Sequence, residues 1–132
     1  MDRLYSIADD FEATIRIFAE AEGGGKTSAF NGIRWDFSYA DATDQLCMIW
    51  PDFSSPSGDG LPKDQPLPFS TELSARMTIV IDEMREQVHR NRIKPGVEFY
   101  CHEGPKRMAI GRVTRITGLY NDRQVSSALF RK

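Results

Sequence analysis

Residues Gly25, Lys26 and Thr27 are the first in the chain whose types and order suggest chemistry, because glycine, lysine and threonine end the phosphate-binding P-loop. The full motif also needs a glycine five residues before Gly25, and that position holds Glu20. A P-loop joins a strand to a helix, whereas the residues on both sides of this stretch alternate between apolar and polar, which is typical of strands. The sequence therefore predicts a turn between strands here, and no nucleotide.

The histidines and cysteines form no reactive motif in the sequence. His89 and His102 lie in dissimilar stretches without the spacing of zinc ligands, and His102 beside Glu103 is typical of a half-exposed polar pair at a strand end. Cys47 and Cys101 are far apart and outside a C-x-x-C spacing, which favours free thiols. We expect no catalytic residue, no metal site and no cofactor.

The bulk composition is that of a single globular domain. The chain has 132 residues, of which 40% are hydrophobic and 27% are charged. Its formal net charge of −2 creates no general attraction for nucleic acid, so that any RNA contact would need a local basic patch. No apolar run approaches the roughly 20 residues that span a bilayer, and acids occupy the place of a signal peptide. These features predict a cytoplasmic protein with no membrane partner.

The elements that must position any site are strands. Alternation predicts strands at residues 11–18, 33–39, 73–81, 97–104 and 107–118, and a short apolar run predicts another at 45–50. Gly111 interrupts the alternation of the last strand, as a bulge or a close backbone approach would. The polar stretch 85–96 allows a single helical turn. Five or six strands with hardly any helix indicate a β-barrel or a β-sandwich.

One region of the chain has the composition of a long loop. Residues 51–68 hold five of the seven prolines, and we expect no regular element there. The loop is either an exposed surface loop or a functional contact arm. The predicted organisation is an N-terminal arm at 1–10, a barrel at 11–119 that includes this loop, and a C-terminal tail at 120–132.

Two clusters of basic residues could attract an anionic partner. They are Arg85, His89, Arg90, Arg92 and Lys94 in one segment, and Lys106, Arg107, Arg112 and Arg115 in the other. Together they would form a basic face for RNA or an acidic protein. The other interpretation is that neighbouring acids neutralise them locally, namely Asp82, Glu83, Glu86 and Glu103.

The order of three motifs resembles a known domain. "EGGGKT" at 22–27, "IRWDF" at 33–37 and "VEFYCHEGPKRMAIGRVTRI" at 97–116 resemble the third, C-terminal β-barrel domain of elongation factor Tu, over about residues 11–116. The resemblance implies a six-stranded antiparallel barrel. In that family the domain packs on the nucleotide-binding domain, contacts the T-stem of aminoacyl-tRNA and meets the exchange factor. The matching positions are Glu22, Gly23, Gly24, Lys26, Thr27, Arg34, Phe37, Phe99, Glu103, Gly104, Lys106, Gly111 and Val113.

The departures from the family pattern bear on the partner. Gly25 and His102 stand where the family has arginine, which removes charges that a phosphate backbone would contact. A chain of 132 residues also leaves no room for a GTPase domain. We therefore expect a non-enzymatic binding module that recognises a protein, either a translation factor or a toxin that it neutralises as an immunity protein would.

The expected binding residues lie in the three motifs. They are Glu22, Gly23, Gly24, Lys26, Thr27, Arg34, His102, Glu103, Gly104 and Lys106. The alternative function is binding of tRNA or another RNA through Lys26, Lys106 and the basic segment 85–94.

Overall fold

The chain folds into a closed barrel of six antiparallel strands. The computed structural model describes residues 4–25, 29–55 and 57–123. The strands are β1 (Phe11–Ile17), β2 (Trp35–Tyr39), β3 (Cys47–Ser54), β4 (Glu72–Ile79), β5 (Glu98–Glu103) and β6 (Lys106–Ile116). They follow one another around the barrel in the order β1-β4-β3-β2-β5-β6, and β6 pairs with β1. The predicted fold, an all-β six-stranded antiparallel barrel, is confirmed.

Aromatic rings fill the barrel interior. Strand β1 alternates buried and half-buried residues along its whole length, as its sequence pattern predicts. The ring of Phe37 stacks on Phe99 with centroids 4.9 Å apart, and Phe11 meets Phe99 edge-on at 6.1 Å. A Cβ atom on Gly111 would lie 2.3 Å from the Phe99 ring. The interrupted alternation at Gly111 therefore reflects a close approach between backbone and ring.

Strand β3 runs further than the sequence predicts. The expectation of a loop from residue 51 is wrong for its first four residues, because β3 continues to Ser54. The last residue of β3 paired with β2 is Ile49, so Pro51 lies beyond the end of the β2–β3 ladder. Its lack of an N–H donor therefore removes no hydrogen bond from that ladder. Beyond it, the Asn31 side chain takes the place of a strand, since its Oδ1 accepts the Phe53 N–H at 2.8 Å.

A helical segment follows β4. It consists of an α-helical turn at Asp82–Met84, a π-helical turn at Arg85–His89 and a further turn at Arg90–Arg92. The expectation of a single helical turn here is therefore too short. The sequence does not reveal this segment because both of its buried positions, Arg85 and His89, hold polar residues, so that no helical apolar period is visible.

The two ends of the barrel are built differently. The connections after β1, β3 and β5 meet at one end, which we call the turn end: residues 18–34, 55–71 and 104–105. The opposite end, the helix end, receives residues 4–10, 40–46, 80–97 and 117–123. Residues 4–10 also cross the outer face of β3, where the Tyr5 ring lies 5.0 Å from Trp50. Residues 26–28 and 124–132, with parts of the predicted turn and tail, lie outside the described residues.

Candidate functional site at the turn end of the barrel

The described residues of the predicted site meet at the turn end. Glu22, Gly23 and Gly24 follow β1, Arg34 directly precedes β2, and Gly104 lies in the turn between β5 and β6. The register explains the meeting, because β1 and β5 end at this side of the barrel while β2 and β6 begin there. Three segments that are up to 82 positions apart in the sequence thus lie at one end of the barrel. Lys26 and Thr27 lie outside the described residues.

The two glycines after β1 are required by the backbone. Gly23 has φ of 94°, in the left-handed region that favours glycine, and ends the short 3₁₀ turn Glu20–Glu22. Gly24 lies so close to the preceding strand that a Cβ atom would be 2.1 Å from the Phe18 carbonyl oxygen. Both glycines therefore shape the turn, and they contribute to binding only through the backbone they present.

Glu22 is a structural anchor of this turn. Its Oε2 accepts a hydrogen bond from Arg16 at 2.8 Å, and its Oε1 accepts the Ala19 N–H at 3.1 Å and the Ser70 hydroxyl at 3.2 Å. The hydrogen bond from Arg16, followed by that from Ala19, lowers the pKa of the Glu22 carboxyl. The carboxylate thus joins the ends of β1 and the loop before β4, which leaves it few free lone pairs for a partner.

The β5–β6 turn presents its side chains to solvent. Glu103, Gly104, Pro105 and Lys106 are all exposed, and Gly104 has φ of 59°. Glu103 and Lys106 face each other as the last paired residues of the two strands. Within the described part of the chain neither side chain has a hydrogen bond or an ion pair, so both charges are available for a partner.

His102 lies beneath this surface. The expectation of a half-exposed pair with Glu103 is wrong, because His102 is only 5% exposed and its Nε2 lies 2.7 Å from the Ser38 hydroxyl. Burial and the nearby Arg107 lower the pKa of His102, against the opposing effect of Asp36. An uncharged imidazole bonded to Ser38 ties β5 to β2 and does not reach a partner.

Two arginines at the turn end are stacked on aromatic rings. The guanidinium carbon of Arg34 lies 4.3 Å from the Trp50 ring centroid, and that of Arg107 lies 4.4 Å from the Tyr100 ring centroid. Both arginines are exposed, and such contacts at exposed sites stabilise by roughly 0.5–1 kcal/mol. The sequence suggested Arg34 as a binding residue, but it gave no sign of the two stacks because each pairs residues of different strands.

The basic segment 85–94 lies at the other end of the barrel. Arg85 is buried and donates from Nε to Asp10 at 2.7 Å, while Arg90 donates to the Leu119 carbonyl at 2.8 Å. Arg92 pairs with Asp41 at 2.6 Å. These arginines hold the chain together at the helix end, so segment 85–94 lies at the opposite end of the barrel from Lys106 and Arg107.

A polar cluster that the sequence did not indicate closes the helix end. The Tyr39 hydroxyl lies 2.5 Å from His89 Nδ1, and the Cys47 sulfur lies 3.4 Å from His89 Nε2. Burial, with a smaller effect of Arg92, lowers the pKa of His89 to about 4, and burial raises the pKa of Cys47 to about 11. At neutral pH both groups are uncharged, so the thiol is not activated as a nucleophile. The cluster therefore packs the barrel mouth.

The two cysteines are free thiols, as predicted. Cys47 and Cys101 pair with Phe37 from the strands on either side of it. Two strand spacings, about 10 Å, separate them, which is too far for a disulfide.

Comparison with known proteins leaves the chain without a recognised family. No protein-family model matches it, and no curated protein is significantly similar to it. The resemblance to the elongation factor Tu domain therefore stays a prediction from the motifs. In the described part of the chain, no helix has the length and apolar character to cross a bilayer. Residues 4–25, 29–55 and 57–123 also contain no group of three or more histidine, cysteine or acidic residues placed to hold a metal ion.

Proposed function

We propose that this protein is a non-enzymatic binding module that recognises a protein partner with the turn end of its barrel. The observation that carries the proposal is the separation of roles between the two ends. At the turn end, charged side chains such as Glu103 and Lys106 are exposed and unpaired among the described residues, on a turn fixed by Gly104. At the helix end, by contrast, the arginine side chains are engaged: Arg85 and Arg123 pair with Asp10, and Arg92 pairs with Asp41.

The resemblance in the motifs narrows the class of partner. The elongation factor Tu domain meets other proteins of translation through a barrel of this kind, so a translation factor is one candidate. A toxin that attacks translation is the other, and the module would then act as an immunity protein. Both partners would engage the turns 22–27 and 103–106, whose described residues, 22–25 and 103–106, lie at the same end of the barrel.

The test is capture from native cell extract with two matched double variants. Glu103→Ala with Lys106→Ala removes one acid and one base from the turn end, and Glu83→Ala with Lys94→Ala removes the same charges from the helix end. We expect the wild type and the helix-end variant to retain the same protein at equal yield, and the turn-end variant to lose it. Equal capture by both variants would refute a site at the turn end.

The same experiment tests the RNA alternative. RNA binding requires that nucleic acid is retained at low salt and released steeply as salt rises, because each phosphate contact displaces counterions. The placement of segment 85–94 at the helix end, away from Lys106, supports the protein proposal. If the wild type retains RNA and no protein, and the turn-end variant loses that RNA, the RNA alternative would replace the protein proposal.

A further inference from the structure

Two arginines differ from all the others that the structure describes. Ten arginines are described, and eight of them donate hydrogen bonds to a carboxylate or a backbone carbonyl: Arg16, Arg76, Arg85, Arg90, Arg92, Arg112, Arg115 and Arg123. Arg34 and Arg107 have no such partner among the described residues and are held only by the rings of Trp50 and Tyr100. Each guanidinium is thus fixed in place while the donors on its edge stay unused.

These two arginines share one outward face of the barrel. His102 pairs with Asp36 on β2 and with Arg107 on β6, so the three side chains point to the same side of the sheet. Arg34 precedes Asp36 by two residues and stacks on the outward-facing Trp50, which places it on that side as well. The lateral separation of β2 and β6 is two strand spacings, about 10 Å. We call Arg34, Trp50, Tyr100 and Arg107 the arginine face.

A stacked guanidinium is a prepared receptor for a carboxylate. Its planar edge presents two parallel N–H donors, which match the two oxygens of a carboxylate. Stacking also restricts the long side chain before binding, which reduces the entropy lost when the partner arrives. Two such groups, on strands that are two spacings apart, suit two acidic side chains on one segment of a partner.

We propose that the arginine face binds an acidic segment of a protein partner through carboxylates seated on Arg34 and Arg107. This inference rests on the proposed function and specifies the chemistry of its partner. Protein carboxylates fit better than the phosphates of a nucleic acid because the face also carries acids: Asp36 lies between the two arginines, and exposed Glu103 lies beside Arg107. Phosphates are fixed in the backbone of a nucleic acid and would meet both acids, whereas the carboxylates of a peptide lie on flexible side chains that can turn away from them.

The test uses a fluorescently labelled deca-glutamate peptide as the probe, with binding measured by fluorescence anisotropy at low salt. The variant is Arg34→Gln with Arg107→Gln. The control is Arg112→Gln with Arg115→Gln, which removes the same charge from exposed arginines that are already paired with Glu98 and Glu12. We expect the first variant to bind at least about tenfold more weakly than wild type, and the control to change by less than about twofold.

A second variant separates geometry from charge. Arg34→Lys with Arg107→Lys keeps both charges but removes the planar forks, and we expect an intermediate loss of about threefold. All three variants alter exposed side chains, and cooperative thermal unfolding of each variant verifies that it folds. No binding of deca-glutamate by wild type, or an equal loss in the paired-arginine control, would overturn the proposal. Tighter binding of a labelled decauridylate through the same two arginines would also overturn it and assign the face to RNA.

The outcome is distinguishable from failure of the proposed function. One outcome is that a captured protein is lost by the variant Glu103→Ala with Lys106→Ala but retained by the variant Arg34→Gln with Arg107→Gln. That outcome supports the proposed binding module and refutes the proposal that its partner offers an acidic segment. The other outcome is that no protein is captured, while deca-glutamate still binds the variant Arg34→Gln with Arg107→Gln more weakly than the paired-arginine control. That outcome supports carboxylate binding by the arginine face and refutes the proposed recognition of a protein partner.

Discussion

The helix end and the turn end of the barrel use charged residues in opposite ways. At the helix end, fully buried Asp10 accepts hydrogen bonds from Arg85 at 2.7 Å, from the Ile79 N–H at 2.8 Å and from Arg123. Arg85 in turn donates to the carbonyls of Gly118 and Asn121 at 2.6 and 2.5 Å. At the turn end, Arg34, Lys106 and Arg107 are exposed and make no ion pair with another described residue. The first arrangement serves folding, and the second leaves charge free for a partner.

The difference follows from how each end is closed. The helix end carries the helical segment and residues 117–123, which cross the barrel mouth and expose backbone carbonyls that need donors. Arginine side chains supply those donors, and Asp10 balances their charge. The turn end is closed by loops whose backbone groups bond to each other, as when the Leu67 N–H donates to the Ala29 carbonyl at 2.9 Å. Apart from the pair between Glu22 and Arg16, its charged side chains are not needed for closure.

The substitution with the largest expected effect on stability is at Asp10. Asp10→Ala leaves Arg85 and Arg123 buried without their carboxylate, and we expect the free energy of unfolding to fall by about 3–5 kcal/mol. Urea denaturation measures this. The control is Asp41→Ala, which breaks the exposed pair with Arg92 and costs at most about 1 kcal/mol. Similar losses in the two variants would mean that the buried cluster contributes no more than a surface pair.

The next effect is a pH dependence that belongs to the helix end. Burial lowers the pKa of His89 to about 4, below its unfolded value of about 6.5, so the folded state favours the neutral ring. The resulting stability is present above pH 6.5 and is lost as the pH falls towards 4, by at most about 3 kcal/mol. The difference in unfolding free energy between wild type and His89→Gln should therefore shrink over this range. If the unfolding free energies of wild type and His89→Gln instead changed in parallel with pH, the pH dependence could not be assigned to His89.

At the turn end, the backbone should be more sensitive than the side chains. Gly24→Ala places a Cβ atom 2.1 Å from the Phe18 carbonyl, and we expect a loss of about 1–3 kcal/mol in unfolding free energy. Gly23→Ala meets no atom within 4 Å and bears only the cost of its left-handed φ, about 1 kcal/mol. Thermal denaturation of both variants checks the order, and a larger loss for Gly23→Ala would show that the backbone at Gly24 can move aside.

The smallest effect on stability is expected at the exposed turn. Glu103→Ala and Lys106→Ala remove side chains without partners among the described residues, so each should change the free energy of unfolding by no more than about 0.5 kcal/mol. Chemical denaturation of the two single variants, next to Asp10→Ala, measures the contrast between the ends directly. A loss of 2 kcal/mol or more at this turn would mean that its charges serve folding, as those of the helix end do.

The barrel strands were predictable because each leaves a period of two in the sequence. Phe11, Ala13, Ile15 and Ile17 alternate with polar residues, and all four are buried. The helical segment was not predictable at its full length, since Arg85 and His89 occupy buried positions that a sequence pattern assigns to solvent. The meeting of the predicted site residues at one end of the barrel was not predictable from the motifs alone. It also depends on the direction of each strand, which the alternation of apolar and polar residues does not reveal.

Other parts of the site depend on pairings that no local pattern encodes. Arg34 and Trp50 are 16 positions apart in the sequence, and they meet because the β2–β3 ladder pairs Trp35 with Ile49. The burial of His102 likewise depends on Ser38, which is brought to it by the register of β2 and β5. Such contacts require the register of two strands, and a one-residue change in register would abolish them.

The place of β1 in the barrel has a consequence for how the protein is made. This first strand pairs only with β4 and β6, and its Phe11 faces Ile116, a residue more than a hundred positions later. At a synthesis rate of about 5–20 residues per second, β1 waits roughly 5–20 s on the ribosome before its last partner emerges. Barrel closure is then a late event dominated by non-local pairing, for which refolding in milliseconds to seconds is expected.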